Sequence, residues 1–146
     1  MTPERATIED LQAIVASLPE FWGERDTAGL HQGLYVHELG ETALVIRGSR
    51  DEVLAYLLGF LTPARVGYVH LVAVREGHRG RGLARVLYED FEALARARGA
   101  TAMKAITSPG NQSSSAFHRA LGFEATEIAG YSASGEPRIV FWRELR

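Results

Sequence analysis

The chain has 146 residues, a formal net charge of −2 and no cysteine, with apolar residues at 46% and charged residues at 23%. Those proportions are near globular averages, and the length suits one domain, residues 1–146, around a single core. Near-neutral charge argues against nucleic-acid and membrane-surface partners; the missing cysteine excludes disulfides, thiolate metal sites and a cysteine nucleophile; and no apolar run approaches the roughly 18 to 20 residues that span a bilayer. The amino terminus, M-T-P-E-R-A-T-I-E-D, lacks the basic and apolar regions of a signal peptide, so a cytoplasmic protein is expected.

In chain order, Thr7 reads as the N-cap of a helix with Glu9 and Asp10 in its first turn and Ile8, Leu11, Ile14, Val15 and Leu18 at helical spacing. Pro19 is expected to end it. Glu20 to Gly40, interrupted by Gly23, Gly29 and Gly33, reads as a loop and a short second helix. Thr42 to Arg47 and Val53 to Leu61 then read as a hairpin turning through G-S-R-D. Pro63 with Gly67 marks a further turn before a central strand whose apolar run is Val69 to Val74. A helix from about Leu83 carries Leu83, Val86, Leu87, Phe91 and Leu94 on one face, with Gly99 as its C-cap. Thr101 to Thr107 reads as a strand, S-P-G-N as a turn, and Asn111 to Leu121 as a helix closed by Gly122. Two strands, Phe123 to Ala129 and Arg138 to Leu145, finish the chain through S-A-S-G-E-P. A strand, crossover helix and strand at the centre require a right-handed parallel pair. The surrounding hairpins supply antiparallel neighbours, so a mixed sheet of the α/β (α+β) class with helices on both faces is predicted.

The organising stretch is V-G-Y-V-H-L-V-A-V-R-E-G-H-R-G-R-G-L-A, Val66 to Ala84. A strand runs into a loop holding Gly77, Gly80 and Gly82, and a helix starts at once. Glycine lets the backbone take positive φ and lets a ligand reach the main chain. The helix start presents unpaired N–H groups and the positive end of its dipole, so the natural occupant is a phosphate.

The segment R-G-R-G-L-A, Arg79 to Ala84, resembles the R-x-x-G-x-A/G acetyl-CoA signature of the Gcn5-related N-acetyltransferases (GNAT). N-x-x-S-x-x-x-H-x-x-x-G-F, Asn111 to Phe123, is similar to that family's second signature. The resemblance implies a mostly antiparallel sheet with a splayed parallel pair at its centre. It implies that backbone N–H groups at Arg81, Gly82, Leu83, Ala84 and Arg85 hold a pyrophosphate, with Gly80 in the same loop and Arg79 or Arg81 beside a phosphate. Main-chain groups of Val72, Ala73 and Val74 would bind the pantetheine arm, and Asn111, Ser114, Phe117 and His118 would meet the coenzyme from the second signature. Acetyl-CoA is then the co-substrate, and an amine of a small molecule or peptide is the acceptor.

Acetyl transfer to an amine needs a base, a stabilised oxyanion and a proton for the leaving thiolate. Strict strand alternation puts Tyr68, His70, Val72 and Val74 on one face. Family members carry Glu or His at positions like 68 and 70, so Tyr68 and His70 are catalytic candidates. His70 is the candidate base, with a reference pKa of about 6.5. His118 stands where many members place a tyrosine beside the coenzyme sulfur as general acid, and imidazolium could donate the proton; Tyr131 or water are the alternatives. The oxyanion would meet a backbone N–H near Val72 or Ala73.

Phe21 and Trp22, just before Glu24 and Asp26, suit either an aromatic wall for a cationic amine or the docking of the N-terminal helix. His31, His37 and His78 lack metal-ligand spacing, so no metal is expected. Val140, Phe141 and Trp142 carry more apolar surface than one strand face can bury, which would suit a two-fold dimer. A coenzyme-binding sensor that transfers nothing is the alternative to an enzyme. A dinucleotide-binding oxidoreductase fits less well, because the loop lacks G-x-G-x-x-G spacing and no acid ends the strand Thr101 to Thr107.

Overall fold

The computed structural model describes residues 1–146. The elements are β1 (Glu4–Arg5), α1 (Ile8–Val15), α2 (Leu18–Trp22), a 3₁₀ turn (Ala28–Leu30), α3 (Leu34–His37), β2 (Leu44–Arg47), β3 (Val53–Leu61), β4 (Val66–Val74), α4 (Leu83–Ala97), β5 (Ala102–Thr107), α5 (Gln112–Ala120), β6 (Glu124–Ile128) and β7 (Arg138–Glu144). The seven strands form one sheet in the order β1-β2-β3-β4-β5-β7-β6, and β4 with β5 is its parallel pair. The predicted mixed sheet is therefore the observed one.

Each face of the sheet has its own apolar cluster. On one, Leu83, Leu87, Tyr88, Phe91 and Ala95 of α4 pack on Leu57, Val69, Met103 and Phe141. On the other, Leu11, Ile14, Phe21 and Val36 of the N-terminal helices cover Val45, Tyr56, Leu58 and Leu71. The α1 start is a capping box: Thr7 Oγ1 accepts the Asp10 N–H at 3.2 Å, and the Asp10 carboxylate accepts the Thr7 N–H at 2.8 Å. The same carboxylate accepts from the two terminal Arg47 guanidinium nitrogens at 2.6 and 2.8 Å, tying α1 to β2. Burial alone would raise the Asp10 carboxyl; the bonds from Arg47 and Thr7 outweigh it and hold the group below the usual carboxylate range.

Four expectations are corrected. Pro19 does not stop the helical run; it sits in the first turn of α2, where its missing N–H costs nothing. The segment 20–40 holds the end of α2, a 3₁₀ turn and α3, rather than one short helix. Gly67 lies inside β4, not in the turn, because a Cβ there would meet Met103 Sδ at 2.8 Å and Ala95 Cβ at 3.1 Å; α4 lies directly on the backbone. The pairing of β3 with β4 also slips, with Leu58 opposite Leu71 but Gly59 opposite Val69. That β-bulge at His70 reverses the alternation. Tyr68 and His70 turn to the N-terminal helices, whereas Val72 and Val74 turn to the α4 cluster, so the four do not share one face.

The parallel register ends at Val69 opposite Ala105. Beyond it β4 and β5 separate, and a cleft opens between their C-terminal ends. Val140 and Phe141 are buried within the chain, and Trp142 is half-buried.

Candidate active site

At the head of the cleft, Gly77, Gly80 and Gly82 have φ of +88°, +77° and +77°, the left-handed region that explains glycine at these positions. Gly82 is the N-cap of α4 and offers no side chain to its first turn, which contains no acid. None of the backbone N–H groups from Arg79 to Arg85 donates to a protein acceptor. A run of free donors at a helix N-terminus beside Arg79, Arg81 and Arg85 is built for phosphate oxygens. Arg79 is itself placed by the fold, donating to Val74 O at 3.2 Å and Phe21 O at 2.9 Å. Arg81 meets His78 Nδ1 at 2.9 Å.

The cleft measures about 830 Å³ and runs from this loop between β4 and α5 to the N-terminal segment. The Arg75 N–H bonds to Leu54 O on β3, which sets the parity of the strand: Ala73 and Leu71 direct their main-chain groups to β3, and Val72 and Val74 direct theirs toward the cleft. An extended chain laid along that edge meets main-chain groups that have no strand partner, with Val74 O already accepting from Arg79.

His70 sits at the bulge and lines the cleft. Its ring stacks on Tyr35, with centroids 4.6 Å apart and planes 10° apart, and its Nε2 lies 3.0 Å from Leu30 O. A carbonyl only accepts, so Nε2 carries the proton and Nδ1 keeps a free lone pair. Burial pulls this histidine below its ordinary pKa, against the opposing bond to Leu30, and leaves the ring neutral near pH 7. Tyr68 packs on Phe60 at 5.4 Å, and burial pushes its phenol up to about 12.

His118 is only 4% exposed and stacks on Phe141 at 4.1 Å. Its Nδ1 donates to Ser114 O at 2.8 Å, and its Nε2 accepts the Tyr88 hydroxyl at 2.6 Å. Both ring nitrogens are thus committed, and burial lowers its pKa, so the neutral form prevails. This geometry holds α5 against α4 and leaves no free N–H for donation. Asn111 caps α5, with Oδ1 accepting the Ser114 N–H at 3.2 Å, and anchors to Thr107 through Nδ2 at 3.2 Å.

Of the predicted residues, the cleft gathers Tyr68, His70, Val72, Ala73, Val74, Arg79, Ala84, Asn111, Ser114, Phe117 and His118 along its walls. Gly80, Arg81, Gly82 and Arg85 stand at its head, and the Leu83 side chain is buried in the α4 cluster. Phe21 and Trp22 pack on β3 and also line the cleft: Phe21 is buried against Tyr56, and Trp22 Nε1 donates to the Tyr56 hydroxyl at 2.7 Å. Tyr56 then donates to His31 Nε2 at 2.6 Å, and His31 Nδ1 donates to Thr27 O at 2.8 Å. This satisfied relay fixes the segment that carries Leu30 to His70. Sequence reasoning missed Leu30, Tyr35 and Arg138 near or along the cleft. Tyr35 could have been flagged as an aromatic in the irregular segment, but a backbone carbonyl acting on His70 leaves no trace in a sequence.

Residues 9–123 match the family model described as "Acetyltransferase (GNAT) family". Solved structures share the fold along nearly the whole chain. Ard1 from Thermoplasma volcanium is 20% identical with a TM-score of 0.76, covering 99% of this chain and 97% of that one. The ribosomal-protein-S18-alanine N-acetyltransferase from Escherichia coli is 17% identical with a TM-score of 0.76, covering 98% and 92%. Naa20 of Chaetomium thermophilum, in complex with a bisubstrate analogue, is 20% identical with a TM-score of 0.80, covering 99% and 87%. At these identities the likeness is one of fold. No curated protein sequence matches the chain.

Proposed function

The chain belongs to the acetyltransferase (GNAT) family, and from that premise we propose that it transfers acetyl from acetyl-CoA directly to a primary amine of a small molecule or peptide, with both substrates bound together. The observation that carries this reading is the unpaired run of backbone N–H groups from Arg79 to Arg85 at the head of a cleft whose far end holds a histidine with a free lone pair. Acetyl-CoA supplies an activated thioester; the residues of this chain bind it and manage protons. The Arg79 to Arg85 donors hold the phosphates, and the cleft-facing main chain of Val72 and Val74 holds the pantetheine arm. Of the two N–H groups suggested for the oxyanion, Val72 faces the cleft and Ala73 faces β3, so Val72 takes that role.

His70 Nδ1 takes the proton that the amine releases as its nitrogen bonds to the acetyl carbon, directly or through one water. Tyr35 and Leu30 keep the ring in the accepting tautomer. A thiolate of ordinary pKa, about 8.5, leaves readily and takes its proton from water. His118 acts as the buried post that positions α5, with its coenzyme contact through the Ser114 and Phe117 wall. The test is calorimetric titration with acetyl-CoA and CoA, followed by thiol release over a panel of amines and peptides. Coenzyme binding with amine-dependent release is expected. Absence of CoA binding would overturn the site assignment.

A further inference from the structure

The N-terminal segment reaches the cleft through an exposed turn. Ala28, Gly29 and Leu30 all face solvent, and Leu30 is 43% exposed, so packing does not fix the carbonyl that accepts from His70 Nε2 at 3.0 Å. The residues on either side of the turn, Thr27 and His31, are polar and buried. Thr27 O accepts twice, from the Leu30 N–H at 3.0 Å and from His31 Nδ1 at 2.8 Å, and these two bonds close the turn that presents Leu30 O to β4.

The protons along this chain of bonds are set from its far end. The Trp22 indole only donates, so the Tyr56 oxygen accepts at 2.7 Å and its own proton goes to His31 Nε2 at 2.6 Å. That leaves the His31 proton on Nδ1, where it bonds Thr27 O. In the other tautomer Nδ1 would turn a lone pair on that carbonyl and push the turn open. Tyr56 is fully buried on β3 and paired with Val45 and Ala73, so a rigid sheet holds the hydroxyl. It lies in the apolar cluster on this face, where a phenylalanine would pack without needing any polar partner. The hydroxyl is explained by what it reaches. We infer that Tyr56 and His31 are positioning residues for His70: they keep Leu30 O on its Nε2–H, so that Nδ1 stays turned to the cleft. This role rests on His70 being the base in the acetyl-transfer reading above.

Tyr56→Phe keeps the ring and removes the hydroxyl. The titratable neighbours of His70 are His31 across the turn and Tyr35 stacked on its ring, with no carboxylate or cation among them. Burial is the main cause that lowers the His70 pKa, so a loosened turn moves its titration up toward the ordinary value of about 6.5. A titration followed by nitrogen-15 NMR should show that rise in Tyr56→Phe and in His31→Leu. In both, kcat should fall about tenfold or more, since a reacting group misplaced by about 1 Å costs up to about 10²-fold, while acetyl-CoA affinity stays unchanged. His31→Asn keeps a donor at the Nδ1 position and should recover most of the kcat that His31→Leu loses. Ile14→Val, a truncation in the same buried cluster, should lower Tm and leave the His70 titration and kcat at parent values. Parent-like titration of His70 in both Tyr56→Phe and His31→Leu overturns the inference, whether or not any amine is acetylated. So does a loss of kcat that Ile14→Val reproduces, or a His31→Asn variant no more active than a slowed His31→Leu. If Tyr56→Phe does not fold, the two His31 variants decide alone. A shifted titration with kcat unchanged in every variant would uphold the relay and remove His70 as base instead.

Discussion

His70→Gln separates the proton-accepting role of this side chain from its place in the fold. Glutamine keeps an N–H donor for Leu30 O, which the imidazole contacts at 3.0 Å, but it has no group that takes a proton in the neutral range. Loss of a positioned general base lowers turnover by about 10² to 10⁴-fold, or roughly 2.7 to 5.5 kcal/mol in the barrier. The lost ring stacking on Tyr35 is worth about 0.5 to 1.5 kcal/mol and should lower Tm by only a few degrees. Coenzyme affinity should change little, because the loop donors at Arg79 to Arg85 lie at the other end of the cleft. The assay is thiol release from pH 5 to 9 at saturating acetyl-CoA. Burial pulls the His70 pKa down, so its limb in the parent lies below about 6.5, apart from the limb of an α-amine near 8. The variant should keep only the amine limb. A variant with the parent's acid limb, or with turnover within about threefold of the parent, refutes His70 as base.

Gly82→Trp places a large side chain at φ +77° over the free donors, and acetyl-CoA affinity should fall at least about tenfold by calorimetry, while unchanged affinity would remove the loop from the binding site. Tyr88→Phe leaves the buried His118 Nε2 without its 2.6 Å donor and should cost about 1 to 3 kcal/mol in denaturant unfolding. No loss would mean that the pair is not bonded in solution. His31 and His118 are buried with lowered pKa values, so the unfolded chain takes up protons first as pH falls. Stability should be flat above about pH 7 and decline below about 6.5, by up to roughly 1.4 kcal/mol per unit for each histidine, until the folded pKa is reached. Thermal melts from pH 5 to 8 would show it, and a Tm that rises on acidification would contradict it.

Local chemistry made much of this protein legible as a sequence. The Thr7 capping box, the amphipathic stripe of α4, and the glycine loop each rest on interactions within a few residues, so residue type and spacing sufficed. The resemblance added the splay of the central strands, which the end of pairing at Val69 and Ala105 bears out.

Tertiary structure decided what depends on neighbours distant in sequence. The bulge at His70 comes from the register of β3 against β4, and it turns Tyr68 and His70 to one face and Val72 to the other. A period of two cannot foretell a slip in pairing. The relay from Trp22 through Tyr56 and His31 to Thr27 orders the segment that reads in sequence as a loop and a short helix, because burial makes each unpaired polar group costly. His118 was singled out by its position in a motif. Its bond to Ser114 is local to α5, but its bond to Tyr88 follows only from the packing of α5 on α4, which brings together groups 30 residues apart.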